Sequence, residues 1–248
     1  MKSTIFLTLL VLMFGIDRCS SLLISEEEQS KVTIQNLREK GYRFRNSSSS
    51  EKGAVPNSIT QFRNIYQAGD FERICSLQQI RNIRFESTLV PVFTAKETSI
   101  CSQLELGTLG MVDVTMTREA FCKVTETFSK TLNDFYIGGY ISGLTEEMTP
   151  CIAKLSNIKS LSIGYGKAKA TKETFCNTLR ELKNISLLTI DNTDLPSNSL
   201  NCILELPNLK RIWLFNWRKV SYDDRASLIR EYEKKYNRKI ESNIVDDY

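Results

Sequence analysis

The sequence predicts an α/β solenoid of about six repeats, with a concave parallel sheet, convex helices and a helical cap at each end. Three observations predict it. The first is a change of period inside a unit. Leu182, Ile185, Leu188, Ile190 and Asn192 are spaced by three, three, two and two, and so are Leu206, Leu209, Ile212, Leu214 and Asn216. Helical spacing that passes into apolar/polar alternation marks a helix handing over to a strand. The second is recurrence. Similar steps place strand pairs at 83/85, 112/114, 135/137, 161/163, 188/190 and 212/214, spaced by 29, 23, 26, 27 and 24 residues. The copy ending at Phe135 and Ile137 is the weakest, because Ser129 stands where the template wants an apolar residue. The third is one cysteine per unit: Cys75, Cys101, Cys122, Cys151, Cys176 and Cys202, each 8 to 13 residues before the first strand position. A unit of roughly 25 residues cannot bury an apolar face alone and must stack on a copy of itself.

The segments Ile185-x-x-Leu188-x-Ile190 and Leu209-x-x-Ile212-x-Leu214, with Asn192 and Asn216 nearby, resemble the leucine-rich repeat family. In that family the asparagine follows the last apolar position by three residues, and here it follows by two. The competing reading is an ordinary doubly wound α/β domain. It requires longer strands and glycine-rich turns after them, which the sequence lacks.

The elements follow in order. Residues 1–21 read as a signal peptide: a basic start, an apolar run from Ile5 to Ile16 too short to span a bilayer, and small residues before a cut after Ser21. Residues 22–57 form a polar amino-terminal segment. Ser25 followed by Glu26, Glu27 and Glu28 starts a helix there, and Gly41 stops it. The serine run from Ser47 to Ser50 has linker composition. Residues 58–220 form the solenoid. Its amino-terminal cap is a short helix from Ser58 that carries Ile59, Phe62, Ile65 and Tyr66 on one face. Thr117, Thr145 and Thr171 stand as helix N-caps ahead of Cys122, Cys151 and Cys176. Residues 221–248 form a carboxy-terminal cap helix, opened by Ser221 and Asp224, and a loose tail from Ser242 to Tyr248.

Cleavage of the leader removes Cys19 and leaves six cysteines, an even number that suits disulfides in a secreted chain. Stacked helices about 10 Å apart argue the other way, for a ladder of buried thiols. Both readings stand at this point. Asn46-Ser47-Ser48 and Asn184-Ile185-Ser186 are glycosylation sequons.

The chain contains no histidine, which excludes Ser-His-Asp and Cys-His nucleophiles and histidine metal sites. Its cysteines are too far apart for a Cys-x-x-Cys zinc site, and no phosphate-binding glycine motif occurs. The sequence therefore implies no catalytic residue, no cofactor and no metal. The net charge is +4, and +3 once Lys2, Arg18 and Asp17 leave with the leader, too mild to imply nucleic acid. No second apolar run implies a membrane span.

The function expected is a secreted, non-catalytic binding protein whose concave strand face meets a protein partner, with a glycan as the second class of ligand. The alternatives are a carboxylate-based hydrolase on the same scaffold and an intracellular adaptor. The residue between the two core positions of each strand should face outward, giving Arg84, Asp113, Tyr136, Ser162, Thr189 and Trp213, flanked by Glu86, Thr115, Gly138, Gly164, Asp191 and Phe215. The candidate partner site among them is Arg84, Asp113, Tyr136, Thr189, Trp213 and Phe215, because exposed aromatics dominate interfaces. The competing role for Trp213 and Phe215 is packing under the carboxy-terminal segment around Trp217.

Overall fold

The computed structural model of the chain describes residues 25–45, 56–62, 67, 69–90, 93–139, 143–166 and 170–244. The expected leader, the sequon at Asn46 and the serine run lie outside the described residues.

Helix α1 (Glu26–Glu39) begins where Ser25 accepts a hydrogen bond from the Glu28 N–H, and Gly41 leaves it at a positive φ. Strand β1 (Tyr42–Arg45) follows and pairs antiparallel with β2 (Ser58–Phe62). From β2 onward the chain alternates. Helix α2 (Asp70–Cys75) leads to β3 (Asn82–Glu86) and the short β4 (Leu89–Val90). Helix α3 (Ala95–Cys101) leads to β5 (Thr108–Val112) and β6 (Thr115–Met116). Then come α4 (Arg118–Thr127), β7 (Asp134–Gly138), α5 (Thr149–Ile152), β8 (Ser160–Gly164), α6 (Lys172–Glu181) and β9 (Leu187–Asp191). A 3-10 helix (Ser197–Glu205), β10 (Arg211–Leu214), α7 (Tyr222–Tyr236) and β11 (Glu241–Ser242) complete the described chain.

The strands form one sheet in the order β1-β2-β3-β5-β7-β8-β9-β10-β11, parallel at every step after the first. A two-stranded parallel sheet of β4 and β6 lies beside it. The register stacks Ile59, Ile83, Leu109, Phe135, Leu161, Leu188 and Ile212 in one column, 24 to 27 residues apart. A second column holds Phe85, Met111, Ile137, Ile163, Ile190 and Leu214. Every member of both is buried. Helix residues close on them from one side: Phe71 meets Phe85 at 5.1 Å between ring centroids, and Phe121 meets Phe135 at 6.1 Å.

The second repeat differs from the expected register. Its core pair is Leu109 and Met111, not Val112 and Val114. Val112 and Val114 suit a strand better by propensity than Met111 does, and Gln103 is polar where the 109/111 frame wants an apolar residue. The shift leaves a more even spacing. It also moves Asp113 out of the strand, at φ 50°, and Thr115 into β6. Ser58–Phe62 is a strand, not a helix, while Ile65 and Tyr66 of the expected cap lie outside the described residues. Ile59 and Phe62 are three apart, as on a helix, but pairing on both sides, with β1 and β3, decides for extension. Ser242, expected in a loose tail, is paired in β11, and the Asn243 side chain bonds both backbone groups of Leu214.

Thr117 and Thr171 are N-caps whose hydroxyls accept from the third residue on, and Thr94 is another, with Glu97 completing a capping box. Thr145 is not an N-cap: Met148 stands at the N-cap of α5 without a side-chain cap bond, and Pro150 is in the first turn.

The six cysteines form three disulfides, Cys75–Cys101, Cys122–Cys151 and Cys176–Cys202, with Cα atoms 4.9, 5.1 and 5.2 Å apart. Axis spacing between stacked helices does not limit the approach of facing cysteines. Axes about 8–10 Å apart carry Cα atoms about 2.3 Å off each axis, so facing Cα atoms approach to about 5 Å.

Candidate functional site

The face of the sheet turned away from the helices carries three columns of side chains, because alternate strand residues share a face. The middle column runs Arg84, Gly110, Tyr136, Ser162, Thr189, Trp213 across six adjacent strands. The column nearer the strand ends runs Glu86, Val112, Gly138, then Gly164 and Asp191, with Phe215 just past the end of β10. A third column at the strand starts, Asn82, Thr108, Asp134, Ser160, Leu187 and Arg211, was missed by sequence reasoning. Extending the alternation by two residues finds it.

Arg84 and Tyr136 are brought together although a strand separates them. Gly110 lies between them and has no side chain, and a methyl there would stand 3.3 Å from Arg84 Cγ. The Arg84 guanidinium therefore reaches across, 5.9 Å from the Tyr136 ring centroid, while its Nε pairs with Glu86. At the other end Trp213 and Thr189 are direct neighbours on β10 and β9, both half-buried. Phe215 is 43% exposed beside them. A third aromatic residue nearby, Trp217, closes the core at the carboxy-terminal end: it is buried, its Nε1 donates to the Leu195 carbonyl at 2.6 Å, and its ring meets Phe175 edge-on.

Asp113 is not brought into this face. Its backbone N–H donates to the Gly138 carbonyl, and its carboxylate lies against Gly139, where a Cβ would clash with Asp113 Oδ1 at 2.1 Å. Asp113 belongs instead to a column of left-handed residues just after the strands: Ser87, Asp113, Gly139, Asn192 and Asn216. Small polar residues and glycine tolerate that conformation. This is the role of the two asparagines that follow the repeat template. Asn216 adds a bond from Nδ2 to Asp191 Oδ1 at 2.9 Å. The second sequon residue, Asn184, is exposed in the turn before β9, where its Nδ2 donates to the Ser156 carbonyl at 2.9 Å.

No protein-family model matches the sequence, and no curated protein does. Among solved structures the chain is similar to internalin C2 of Listeria monocytogenes, at 16% identity over 67% of this chain and 74% of that one, with a TM-score of 0.41. It is similar to internalin F of the same organism, at 15% identity over 72% of this chain and 52% of that one, with a TM-score of 0.44. It is also similar to human 5T4, a trophoblast glycoprotein, at 15% identity over 70% of this chain and 65% of that one, with a TM-score of 0.47. The chain thus spans about half of internalin F and just under two thirds of 5T4. Its own geometry decides the architecture: with one parallel strand every 24 to 27 residues, two buried columns and helices stacked behind them, the chain has the fold of a leucine-rich repeat solenoid.

Proposed function

We propose that this is a secreted, non-catalytic leucine-rich repeat protein that binds a protein partner through the open, concave face of its sheet. The observation that carries the reading is the aromatic content of that face. Serine, threonine and glycine fill much of its middle, yet Tyr136, Trp213 and Phe215 stand on it, and Phe215 keeps 43% of its surface in solvent. An exposed Phe215 beside a half-buried Trp213, at one end of a solvated face, suits an interface hot spot. Arg84 and Glu86 supply a charged end five strands away. Three disulfides support secretion, since such bonds persist in oxidising compartments. Exposure of Asn184 suits glycosylation there.

Trp213→Ala tests the site. The expected outcome is loss of the partner recovered by wild-type chain in affinity capture, with an unchanged unfolding midpoint. A stability loss of about 3–5 kcal/mol, as for a fully buried Trp, would make Trp213 a core contact and overturn the assignment.

A further inference from the structure

The edge where the chain enters its strands carries a second built surface, independent of the open face. Asn157, Asn184 and Asn208 occupy equivalent turns in three successive repeats. Each donates from Nδ2 to a carbonyl of the repeat before it, those of Lys130, Ser156 and Lys183, at 2.9, 2.9 and 2.8 Å. The three amides are exposed and held in one row. Along them runs a groove of about 600 Å³ whose lining includes Lys130, Lys159 and Lys210 and no carboxylate. These lysines are exposed, and among the described residues none of them makes an ion pair. By contrast Lys31, Lys96 and Lys123 each hold a glutamate.

The spacing is set by the sheet. Lys159, Ser186 and Lys210 are joined by backbone bonds, Ser186 N–H to the Lys159 carbonyl and Lys210 N–H to the Ser186 carbonyl. Adjacent rungs are about 4.8 Å apart, so the two lysines repeat at about 10 Å along a straight line. Two lysines about 10 Å apart on the rungs, with Lys130 in the turn beside them and fixed amides alongside, suit a linear polyanion rich in hydroxyls. No aromatic ring lines the groove to stack a base, and no apolar side chain lines it to enter a bilayer. The disulfides place the fold where extracellular polyanions occur. We propose that this groove binds a linear sulfated glycan, with Lys130, Lys159 and Lys210 on its sulfates and the asparagine row on its hydroxyls.

The sequon at Asn184 lies in the middle of the groove, so its own glycan would compete for the space. The test therefore uses the full chain, secreted, with Ser186→Ala to abolish attachment, and a heparin-derived octasaccharide as probe. Binding at 150 mM salt is expected, weakening steeply as salt rises because counterions are released. Adding K130Q, K159Q and K210Q should weaken it at least tenfold. Adding K31Q, K96Q and K123Q instead changes net charge equally and should leave it within twofold. All variants are surface changes whose unfolding midpoints are checked. Equal loss in both triple variants would reduce the effect to net charge and overturn the site. So would absence of binding by the Ser186→Ala chain, equal binding of the desulfated octasaccharide, or tighter binding of single-stranded DNA or phosphatidylserine vesicles.

Discussion

Leu188 and Thr189 are adjacent in β9, and their side chains meet opposite environments. Leu188 is fully buried between neighbouring core residues of β8 and β10, and Thr189 is half-exposed on the open face. Leu188→Ala should cost about 2–5 kcal/mol, the range for large-to-small core changes. Thr189→Ala should stay within about 0.5 kcal/mol. Denaturant melts of the two variants check the register, and similar midpoints would mean that the alternation is misplaced. At this scale the sequence spoke clearly wherever leucine or isoleucine filled the template, as at 161/163, 188/190 and 212/214. It misled at Met111 and Asp113. A residue's place there is decided by the backbone turning left-handed at φ 50°, which hydrophobic spacing does not encode. Gly110 was invisible for a related reason: its importance lies in the side chain it lacks, which lets Arg84 reach Tyr136.

At the scale of the element, two carboxylates tie neighbouring units. Glu146, in the turns before α5, accepts from the Thr171 N–H and hydroxyl at 2.7 Å each and from the Thr174 hydroxyl, so it holds the start of α6. Burial pushes its carboxyl up, but the bonds from Thr174 and Thr171 outweigh that and hold it below the usual 4.5. A depressed folded-state pKa stabilises the fold above the unfolded value, and that stabilisation is lost as pH falls through the folded value. Wild type should therefore lose stability below about pH 4.5 more steeply than Glu146→Gln. Melts between pH 3 and 6 would measure this, and parallel curves would count against the contact. Asp70 plays the same part for the amino-terminal unit. It is 1% exposed and accepts from Lys40 Nζ and Tyr42 Oη at 3.0 Å, both from the segment that includes the end of α1 and β1. Asp70→Ala should cost about 2–3 kcal/mol, the lower side of a broken buried pair because Lys40 is 30% exposed. The cut sites within 26–45 should open first in limited proteolysis. Helix starts were readable from single polar residues before acidic turns, as at Ser25, Thr171 and Ser221. The β2 strand was not, because its partners are β1 and β3 and five residues carry too few apolar positions to separate the two periods.

Over the whole molecule, the disulfides staple the repeats in alternation. Cys75–Cys101 joins α2 to α3, Cys122–Cys151 joins α4 to α5, and Cys176–Cys202 joins α6 to the 3-10 helix. The steps from α3 to α4 and from α5 to α6 have no covalent link and rest on packing and on contacts such as Glu146 with Thr171. A solenoid's stability is close to a sum over units and their nearest-neighbour interfaces, so each bond acts mainly on its own pair. The sequence announced one cysteine per repeat, while the pairing depended on Cα atoms facing across adjacent helices, a distance that spacing in sequence does not report. The Cys122–Cys151 bond sits at the centre and closes 29 residues of chain. Chain entropy alone assigns a loop of that length about 3–4 kcal/mol. Replacing both cysteines with alanine should remove that much in denaturant unfolding. Amide exchange should quicken first in α4, α5 and the β7–β8 pairing between them, while Cys75–Cys101 continues to hold α2 and α3. A loss under about 1 kcal/mol, or exchange that quickens evenly along the chain, would show that the sheet couples the repeats into one unit and that the staples do not divide it.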